Sequence, residues 1–149
     1  MSNLDNLKKL RGETGVSFSL CKKALDEAEN DIEKAKKLLS KWGVEKAEGK
    51  AGRDTKNGSI FSYIHHNNKI GVLLEIFCET DFVAKNSDFQ ELGNNIAMHI
   101  ASMKPENSEE LLKQCYIIDP SKTVETLLKE AILKIGENLK IGNFVRYEL

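Results

Sequence analysis

The sequence has few of the residues that mark specialised classes of protein. It contains only three cysteines, Cys21, Cys78 and Cys115, which lie far apart and form no CxxC or Cys/His arrangement. This number and spacing argue against a disulfide scaffold and against a structural zinc site. No segment approaches the roughly 20 consecutive apolar residues of a membrane-spanning helix, and the first ten residues lack the apolar region of a signal peptide. The sequence therefore predicts a cytosolic protein that does not enter a membrane.

A charge excess of either sign is also missing. The 149 residues include 22 basic and 23 acidic side chains, which gives a net charge of −1. Proteins that bind nucleic acid through its phosphates usually carry a strongly basic face, so direct nucleic-acid binding is not expected. Apolar residues make up 40% of the chain and charged residues 30%, a composition typical of a globular protein with a packed core.

Motifs of the common enzyme classes are absent as well. The chain has no GxGxxG, GxxxxGK[ST], HExxH or GxSxG motif, the signatures of nucleotide-binding loops, zinc proteases and serine hydrolases. His65, His66 and His99 could serve as bases, but no nucleophile or metal ligand lies near them in the sequence. We therefore expect no catalytic residue and no metal site, and we interpret the histidines as surface or strand residues.

The N-terminal segment predicts three short helices. Leucines recur at helical spacing over residues 4–10, and two glycines end this helix within residues 12–15. Ser17 can cap a second helix, and Asn30 with Glu33 has the spacing of a capping box that opens a third. A unit this small is near the lower limit for a hydrophobic core, which favours a docking module over a catalyst.

The rest of the chain predicts a sheet covered by helices. Residues 59–66 and 70–78 are rich in β-branched and aromatic side chains and flank a two-residue turn, the pattern of a β-hairpin. One apolar helical pattern is capped by Ser87 and ends before Pro105, and another runs from Thr123 to Gly136. Residues 144–149 alternate as a closing strand.

These patterns predict an α+β fold in three parts. Residues 1–42 form the three-helix docking module, and residues 43–58, rich in glycine and basic side chains, form a linker that is partly helical at most. Residues 59–149 form an α+β domain in which helices cover one face of a small antiparallel sheet.

The segment ETDFVAKN at 79–86 lies between the second predicted strand and a capped helix. Thr80 or Asp81 can cap a short helical turn there, and Phe82 can be a core residue. With the preceding cysteine, CETDFVAKN at 78–86 resembles the signature of bacterial elongation factor Ts. Further segments resemble that family in the same order, namely LRGETG at 10–15, CKKALDEAENDIEKA at 21–35, KAGR at 50–53, IGVLLEI at 70–76, HIASMKPE at 99–106, DPSKTVETLLKEAI at 119–132, KIGEN at 134–138 and FVRYEL at 144–149.

The resemblance implies a guanine-nucleotide exchange factor that promotes GDP release from elongation factor Tu, without covalent chemistry and without a cofactor. In the family, the aromatic side chain of the TDFV motif wedges between helices of the GTPase, and the motif disturbs its Mg²⁺ and phosphate site. The resemblance assigns these roles to Phe82 and Asp81, with Thr80 and Val83 shaping the turn.

The resemblance also implies further contacts with the GTPase. The three-helix unit is similar to the family's ubiquitin-associated-like module, whose candidate contact residues here are Arg11, Val16, Phe18, Lys22 and Lys23. Other contact regions of the family match a hairpin histidine, either His65 or His66, and the IGEN segment from Ile135 to Asn138, in which Ile135 and Gly136 are the candidate contact residues.

Short members of the family with one core half work as dimers, so the resemblance implies a homodimer. One alternative is a ubiquitin-associated-like adaptor without exchange activity. Only the TDFV segment distinguishes an exchange factor from such an adaptor. The other is a nucleic-acid-binding factor that uses the basic linker, and it predicts binding that weakens steeply with salt.

Overall fold

A computed structural model describes residues 3–149, and within this range the chain has seven helices and one three-stranded sheet. Residues 1 and 2 of the predicted N-terminal module lie outside the described residues. The α+β fold class is confirmed. None of the described helices is long and apolar enough to cross a membrane. In chain order the elements are α1 (Leu4–Thr14), α2 (Phe18–Glu27), α3 (Ile32–Lys50), β1 (Asn57–Ile64), β2 (Ile70–Cys78), α4 (Asp81–Ala84), α5 (Ser87–Met103), α6 (Ser108–Lys113), α7 (Val124–Ile135) and β3 (Lys140–Glu148).

Helices α1 to α3 enclose a small core of their own, as the leucine and alanine spacing predicts. Leu10, Cys21 and Leu25 are fully buried in it. Ser17 caps α2, but α3 is capped by Asp31 rather than by the predicted Asn30. Asn30 has a positive φ of 65°, a conformation that asparagine tolerates well, and its side-chain oxygen accepts from the backbone N–H at the start of α1.

Helix α3 continues eight residues past the predicted end of the module at residue 42. The extra length packs on α7, where a Cβ at Gly43 would lie 3.3 Å from the carbonyl oxygen of Lys129. Ala47 belongs to the core of the second segment. Tertiary packing here outweighs the weak helix propensity of the glycines in this stretch. One helix therefore contributes to both cores.

The sheet is antiparallel with the order β1-β2-β3, so that β2 lies in the centre. Cys78 pairs with Asn57 at one end of the hairpin, and Gly71 pairs with Ile64 at the turn end. Strand β3 begins at Lys140, four residues earlier than predicted. A register shift near Glu75 accommodates this extension.

Helices cover one face of the sheet only. Val72, Leu74 and Ile76 of β2 point toward α5 and are buried with Phe89 and Ile96 of that helix. The opposite face, which we call the open sheet face, exposes six large apolar side chains, namely Ile60, Ile64, Leu73, Phe77, Val145 and Tyr147.

Helix boundaries in the second segment follow local capping. Thr123 and Gly136 bound α7 as predicted. Helix α5 is capped by Asn86, one residue before the predicted Ser87, because the Asn86 side chain accepts from the backbone N–H of Asp88. Helix α6 was not predicted, and it is anchored by the fully buried Leu111.

Candidate functional site

The segment between β2 and α5 forms a tight corner, which we define as residues 79–84. Strand β2 ends at Cys78, and Thr80 adopts an extended conformation as the N-cap of the four-residue helix α4. Its hydroxyl oxygen accepts from the backbone N–H of Val83 at 3.3 Å. Of the two capping residues that the sequence left open, the structure selects Thr80.

Phe82 projects from this corner into solvent. Its side chain is 83% exposed, whereas the neighbouring Val83 and Ala84 are buried against the sheet and α5. Phe82 is therefore not a core residue. An exposed aromatic ring on a short, capped helix contributes little to the stability of the folded chain.

Asp81 lies beside Phe82 and is also exposed. Its carboxylate forms an ion pair with Lys85 one helical turn later at 2.9 Å, and this contact raises the pKa of Lys85. Water screens an exposed pair of this kind, so it contributes little to stability. The Asp81 carboxylate can consequently change partner at small cost.

The end of α4 is fixed by hydrogen bonds to its carbonyl groups. The Ala84 oxygen accepts from the Gln90 side chain at 2.7 Å and from the Ser59 hydroxyl at 3.3 Å. At the start of the corner, the Cys78 thiol donates to the Thr80 oxygen at 3.2 Å. Burial raises the pKa of this thiol, which keeps it protonated and able to donate.

The segment after α7 packs directly against the corner. The Glu137 carboxylate accepts from the backbone N–H groups of Glu79 and Thr80, each at 3.1 Å, and from the Thr80 hydroxyl at 2.7 Å. Two of the predicted contact residues, Ile135 and Gly136, immediately precede it. Ile135 is half-buried against the core, and Gly136 ends α7 with a positive φ of 88°.

Two side chains of the predicted IGEN segment have contacts within the chain that the sequence analysis did not identify. Glu137 contacts the corner, and Asn138, which is 2% exposed, donates its backbone N–H to the Glu79 carboxylate at 2.7 Å. The Asn138 side chain donates to the carbonyl oxygen of Arg53. The available signal was the polar pair directly after a helix-ending glycine, but the partners of this pair are between 57 and 85 residues away in the chain.

The end of α3 joins the same cluster. Lys50 donates to the Gly136 oxygen at 2.7 Å, and the Arg53 guanidinium lies 3.6 Å from the Glu79 carboxylate. Burial, with the nearby charges of Arg53 and Lys46, lowers the pKa of Lys50. Three segments that are distant in the sequence, KAGR, CETDFVAKN and KIGEN, therefore meet at one corner.

The predicted contact residues of the N-terminal helices form a second candidate surface, on α1, α2 and the turn between them. Arg11, Phe18, Lys22 and Lys23 are exposed, and the Lys23 ammonium lies 4.9 Å from the centre of the Trp42 ring. Val16 differs from the others because it is buried in the small core.

The two hairpin histidines lie far from the corner. They follow β1 at the turn end, whereas the corner follows the opposite end of β2, so that about seven strand residues, roughly 23 Å, separate them. The His65 ring nitrogen Nδ1 lies 2.9 Å from the Tyr63 hydroxyl, and His66 is exposed. Among residues 3–149, no cluster of three or more His, Cys, Asp or Glu side chains could hold a metal ion.

Comparison with known proteins assigns the chain to a family. Residues 1–49 match the family model "Elongation factor Ts, mitochondrial, N-terminal", and residues 79–149 match the model "Elongation factor TS". Elongation factor Ts of Fervidobacterium nodosum is 42% identical over 96% of this chain and 95% of that protein. The chain belongs to the elongation factor Ts family. It is accordingly a translation elongation factor of protein biosynthesis.

Two further members of the elongation factor Ts family show how this chain differs in length. The Thermosipho melanesiensis protein is 42% identical over 95% of both chains, and the Aquifex aeolicus protein is 47% identical over 98% of this chain but only 52% of its own length. The alignment with the Fervidobacterium protein spans 188 positions, more than the 149 residues of this chain. That relative therefore carries residues inside the aligned region that this chain lacks.

Proposed function

We propose that this chain is a guanine-nucleotide exchange factor that promotes GDP release from elongation factor Tu. The observation that carries the proposal is the exposed Phe82 ring, mounted on a fixed corner in a chain of the elongation factor Ts family. Exchange of this kind requires no bond to be made or broken by the factor, so the chain acts without catalytic residues and is not an enzyme.

The corner acts on the GTPase as a wedge. GTPases hold the nucleotide phosphates with a Mg²⁺ ion, backbone N–H groups and a lysine, and these groups work only while the surrounding elements position them. Insertion of the Phe82 ring between helices would displace those elements, and the ring would gain its burial energy at the same moment. A rigid mount is needed because a mobile ring would lose that energy as ordering entropy.

Asp81 supplies the second effect. Its carboxylate can leave Lys85 at small cost, since both side chains are exposed. Placed near the Mg²⁺ and phosphate site, a negative charge opposes the bound nucleotide. Thr80 and Val83 act through shape, because one caps α4 and the other anchors it in the core.

The N-terminal helices provide a docking surface on another face of the GTPase. Arg11, Phe18, Lys22 and Lys23 are the contact residues in this proposal, and the buried Val16 supports the turn that carries them. Ile135 and Gly136 lie beside the corner and belong to the same contact region. A hairpin histidine, His65 or His66, would make a separate contact at the far end of the sheet.

A homodimer is part of the proposal. The open sheet face carries six exposed apolar side chains, and an apolar face of this extent is typical of an interaction surface. Strands β1 and β3 are the sheet edges and also need cover. A second copy of the chain would cover the face symmetrically and present two wedges.

Substitution of Phe82 tests the wedge directly. Phe82→Ala should slow the release of labelled GDP from elongation factor Tu at least tenfold, equivalent to about 1.4 kcal/mol of barrier, without changing thermal stability. Ile118→Ala is the matched control, because Ile118 is another large, exposed apolar residue outside the proposed site. A stable Phe82→Ala variant with full exchange activity would refute the wedge.

Binding to the two nucleotide states of the GTPase separates an exchange factor from a simple adaptor. If the chain weakens GDP binding by some factor, GDP must weaken binding of the chain by the same factor. An adaptor would bind the GDP-loaded and the nucleotide-free forms equally well. Titration of both forms in the presence of Mg²⁺ should therefore show much tighter binding to the nucleotide-free form, and equal affinities would exclude exchange activity.

A further inference from the structure

Glu137 makes three hydrogen bonds to the corner, and although it lies in the IGEN segment, it is not one of the candidate contact residues predicted from the sequence. Its Oε1 atom accepts from the N–H groups of Glu79 and Thr80, and its Oε2 atom accepts from the Thr80 hydroxyl at 2.7 Å. We propose that Glu137 is a positioning residue, which holds the corner in the shape that presents Phe82. This inference rests on the exchange function proposed above.

The bonds to Glu137 hold Glu79 and Thr80, the two residues of the corner that belong to neither β2 nor α4. Cys78 is the last residue of β2 that pairs with β1, and α4 begins at Asp81. The N–H groups of Glu79 and Thr80 lie in the connection between these elements. A carboxylate that accepts two backbone N–H groups forms charge-assisted hydrogen bonds, which are stronger than neutral ones. Glu137 therefore fixes the direction in which the chain leaves the sheet.

The Thr80 hydroxyl transmits this constraint to α4. A hydroxyl has one hydrogen to donate and two lone pairs with which to accept. The Thr80 hydroxyl donates to Glu137, and its oxygen remains oriented to accept from the N–H of Val83, the bond that caps α4. Phe82 lies on this first turn of α4. The orientation of its ring is thus linked to Glu137 through a single hydroxyl group.

Glu137 itself is held in place from two sides. The N–H of Asn138 donates to the Glu79 carboxylate at 2.7 Å. The corner and the KIGEN segment therefore each supply one carboxylate and at least one N–H group to the other. On the other side, Lys50 donates to the carbonyl oxygen of Gly136. With its position fixed and its two oxygens occupied by three donors, Glu137 is suited to supporting the wedge rather than to contacting the GTPase.

A double-mutant cycle tests this role. Glu137→Ala should slow GDP release roughly tenfold, as Phe82→Ala does, and should have less than about a twofold further effect when Phe82 is already alanine. Glu137→Gln should recover most of the activity, because its amide oxygen can still accept from both N–H groups and its amide N–H can donate to Thr80. Glu130→Ala is the matched control, because the Glu130 carboxylate also accepts from two side chains, those of Ser40 and Lys122, but between α3 and α7.

Amide hydrogen exchange gives a second readout that needs no GTPase. In the Glu137→Ala variant, the N–H groups of Thr80 and Val83 should lose protection while the amides of α5 and α7 keep theirs. General loss of protection would mean that Glu137 has a merely structural role, and this would overturn the inference.

The exchange assay distinguishes failure of the inference from failure of the proposed function. If Phe82→Ala slows GDP release and Glu137→Ala does not, only the positioning role fails. Only the positioning role fails, too, if the double variant slows GDP release by the product of the two single-variant factors, because the two substitutions then act independently. If neither substitution slows release by an active wild-type chain, the wedge and the positioning role both fail. If the wild-type chain itself does not accelerate GDP release, the proposed exchange function fails, and the positioning role fails with it.

Discussion

Phe82 and Phe89 are seven residues apart and have opposite surroundings. Phe89 is fully buried on α5, with its ring centre 5.5 Å from that of Phe61, whereas Phe82 is 83% exposed. Truncation of a buried phenylalanine costs about 3–5 kcal/mol of stability, and truncation of an exposed one costs little. At the scale of single residues, Phe89 therefore stabilises the fold, whereas Phe82 adds little to stability and is free for the contact proposed above.

His99 is not the surface or strand residue that the sequence suggested, because it is fully buried on α5, and its ionisation should affect stability. Its Nε2 atom lies 2.9 Å from the Gln114 side-chain oxygen, and its Nδ1 atom accepts from the N–H of Ile117 at 3.1 Å. Burial lowers the pKa of His99 below the ordinary value of 6.5. A proton on Nδ1 would also face the Ile117 donor. The folded chain consequently favours the neutral ring.

The direction of the resulting pH dependence follows from linkage. Below about pH 6.5 the unfolded chain binds a proton at this histidine that the folded chain does not, so the contribution of the neutral ring to stability is present above that pH and is lost as the pH falls. We expect the free energy of unfolding to decrease by up to about 1.4 kcal/mol per pH unit in this window. Chemical denaturation from pH 7.5 to 5 measures the slope.

Two variants make the assignment to His99 specific. His99→Gln should flatten the slope below pH 6.5, although it also lowers stability at every pH through lost packing. His66→Gln is the control, because His66 is exposed, and it should keep the wild-type slope. An unchanged slope in His99→Gln would show that other groups cause the pH dependence.

At the scale of secondary-structure elements, α3 is important because it packs into both hydrophobic cores. It closes the small N-terminal core with Ala35 and Leu39 and contributes Ala47 to the core of the second segment. Ser40 of α3 also donates to Glu130 of α7 at 3.2 Å. The division of the chain at residue 42 remains a prediction, but any functional division must take account of this shared helix.

Two glycines of α3 allow a matched test of the α3–α7 contact. A Cβ at Gly43 would lie 3.3 Å from the Lys129 oxygen, whereas a Cβ at Gly49 would meet nothing within 4 Å. Gly43→Val should therefore destabilise the protein by about 1–3 kcal/mol through overpacking. Gly49→Val should be neutral or slightly stabilising, because valine has the better helix propensity. Denaturant unfolding of both variants measures the difference, and equal stabilities would contradict close packing of α3 on α7.

At the scale of the whole molecule, the main asymmetry is between the two faces of the sheet. One face is buried under α5, and the open sheet face exposes apolar side chains of all three strands. A large apolar surface is costly to leave in water, since burial is favourable by roughly 25 cal/mol per Å². A second copy of the chain is the partner that our proposal assigns to this face.

Sedimentation tests the dimer. The wild-type chain at micromolar concentration should sediment with twice the 16.7 kDa mass of the monomer. Leu73→Lys places a charge in the middle of the open sheet face and should give a folded monomer, because an unpaired charge cannot be buried cheaply. Ile118→Lys, which changes an exposed apolar residue outside that face, should remain dimeric. A monomeric wild-type chain would contradict this part of the proposal.

Much of the fold could be predicted from local patterns in the sequence. The apolar spacing of α1, α2, α5 and α7 and the extent of β2 reflect periodicities that each element needs in order to bury one face. Thr123, Gly136 and Ser17 were identified as helix boundaries because capping depends on neighbours within a few residues. The resemblance that rests on CETDFVAKN and the other segments identified the family before any geometry was known.

Features that depend on distant partners could be decided only by the tertiary structure. Helix α3 extends to Lys50 because α7 packs against it, and β3 begins early because β2 can pair with it across a register shift. Glu137 could not be recognised as a support of the corner, because its partners Glu79 and Thr80 are 58 and 57 residues away. Local patterns were therefore enough to predict most of the helices and strands, and the motif segments were enough to predict the family and the candidate wedge residue. The side chains that bond to the corner carrying this residue could not be predicted, because hydrogen bonds between distant segments depend on how the elements pack and leave no periodic signal along the chain.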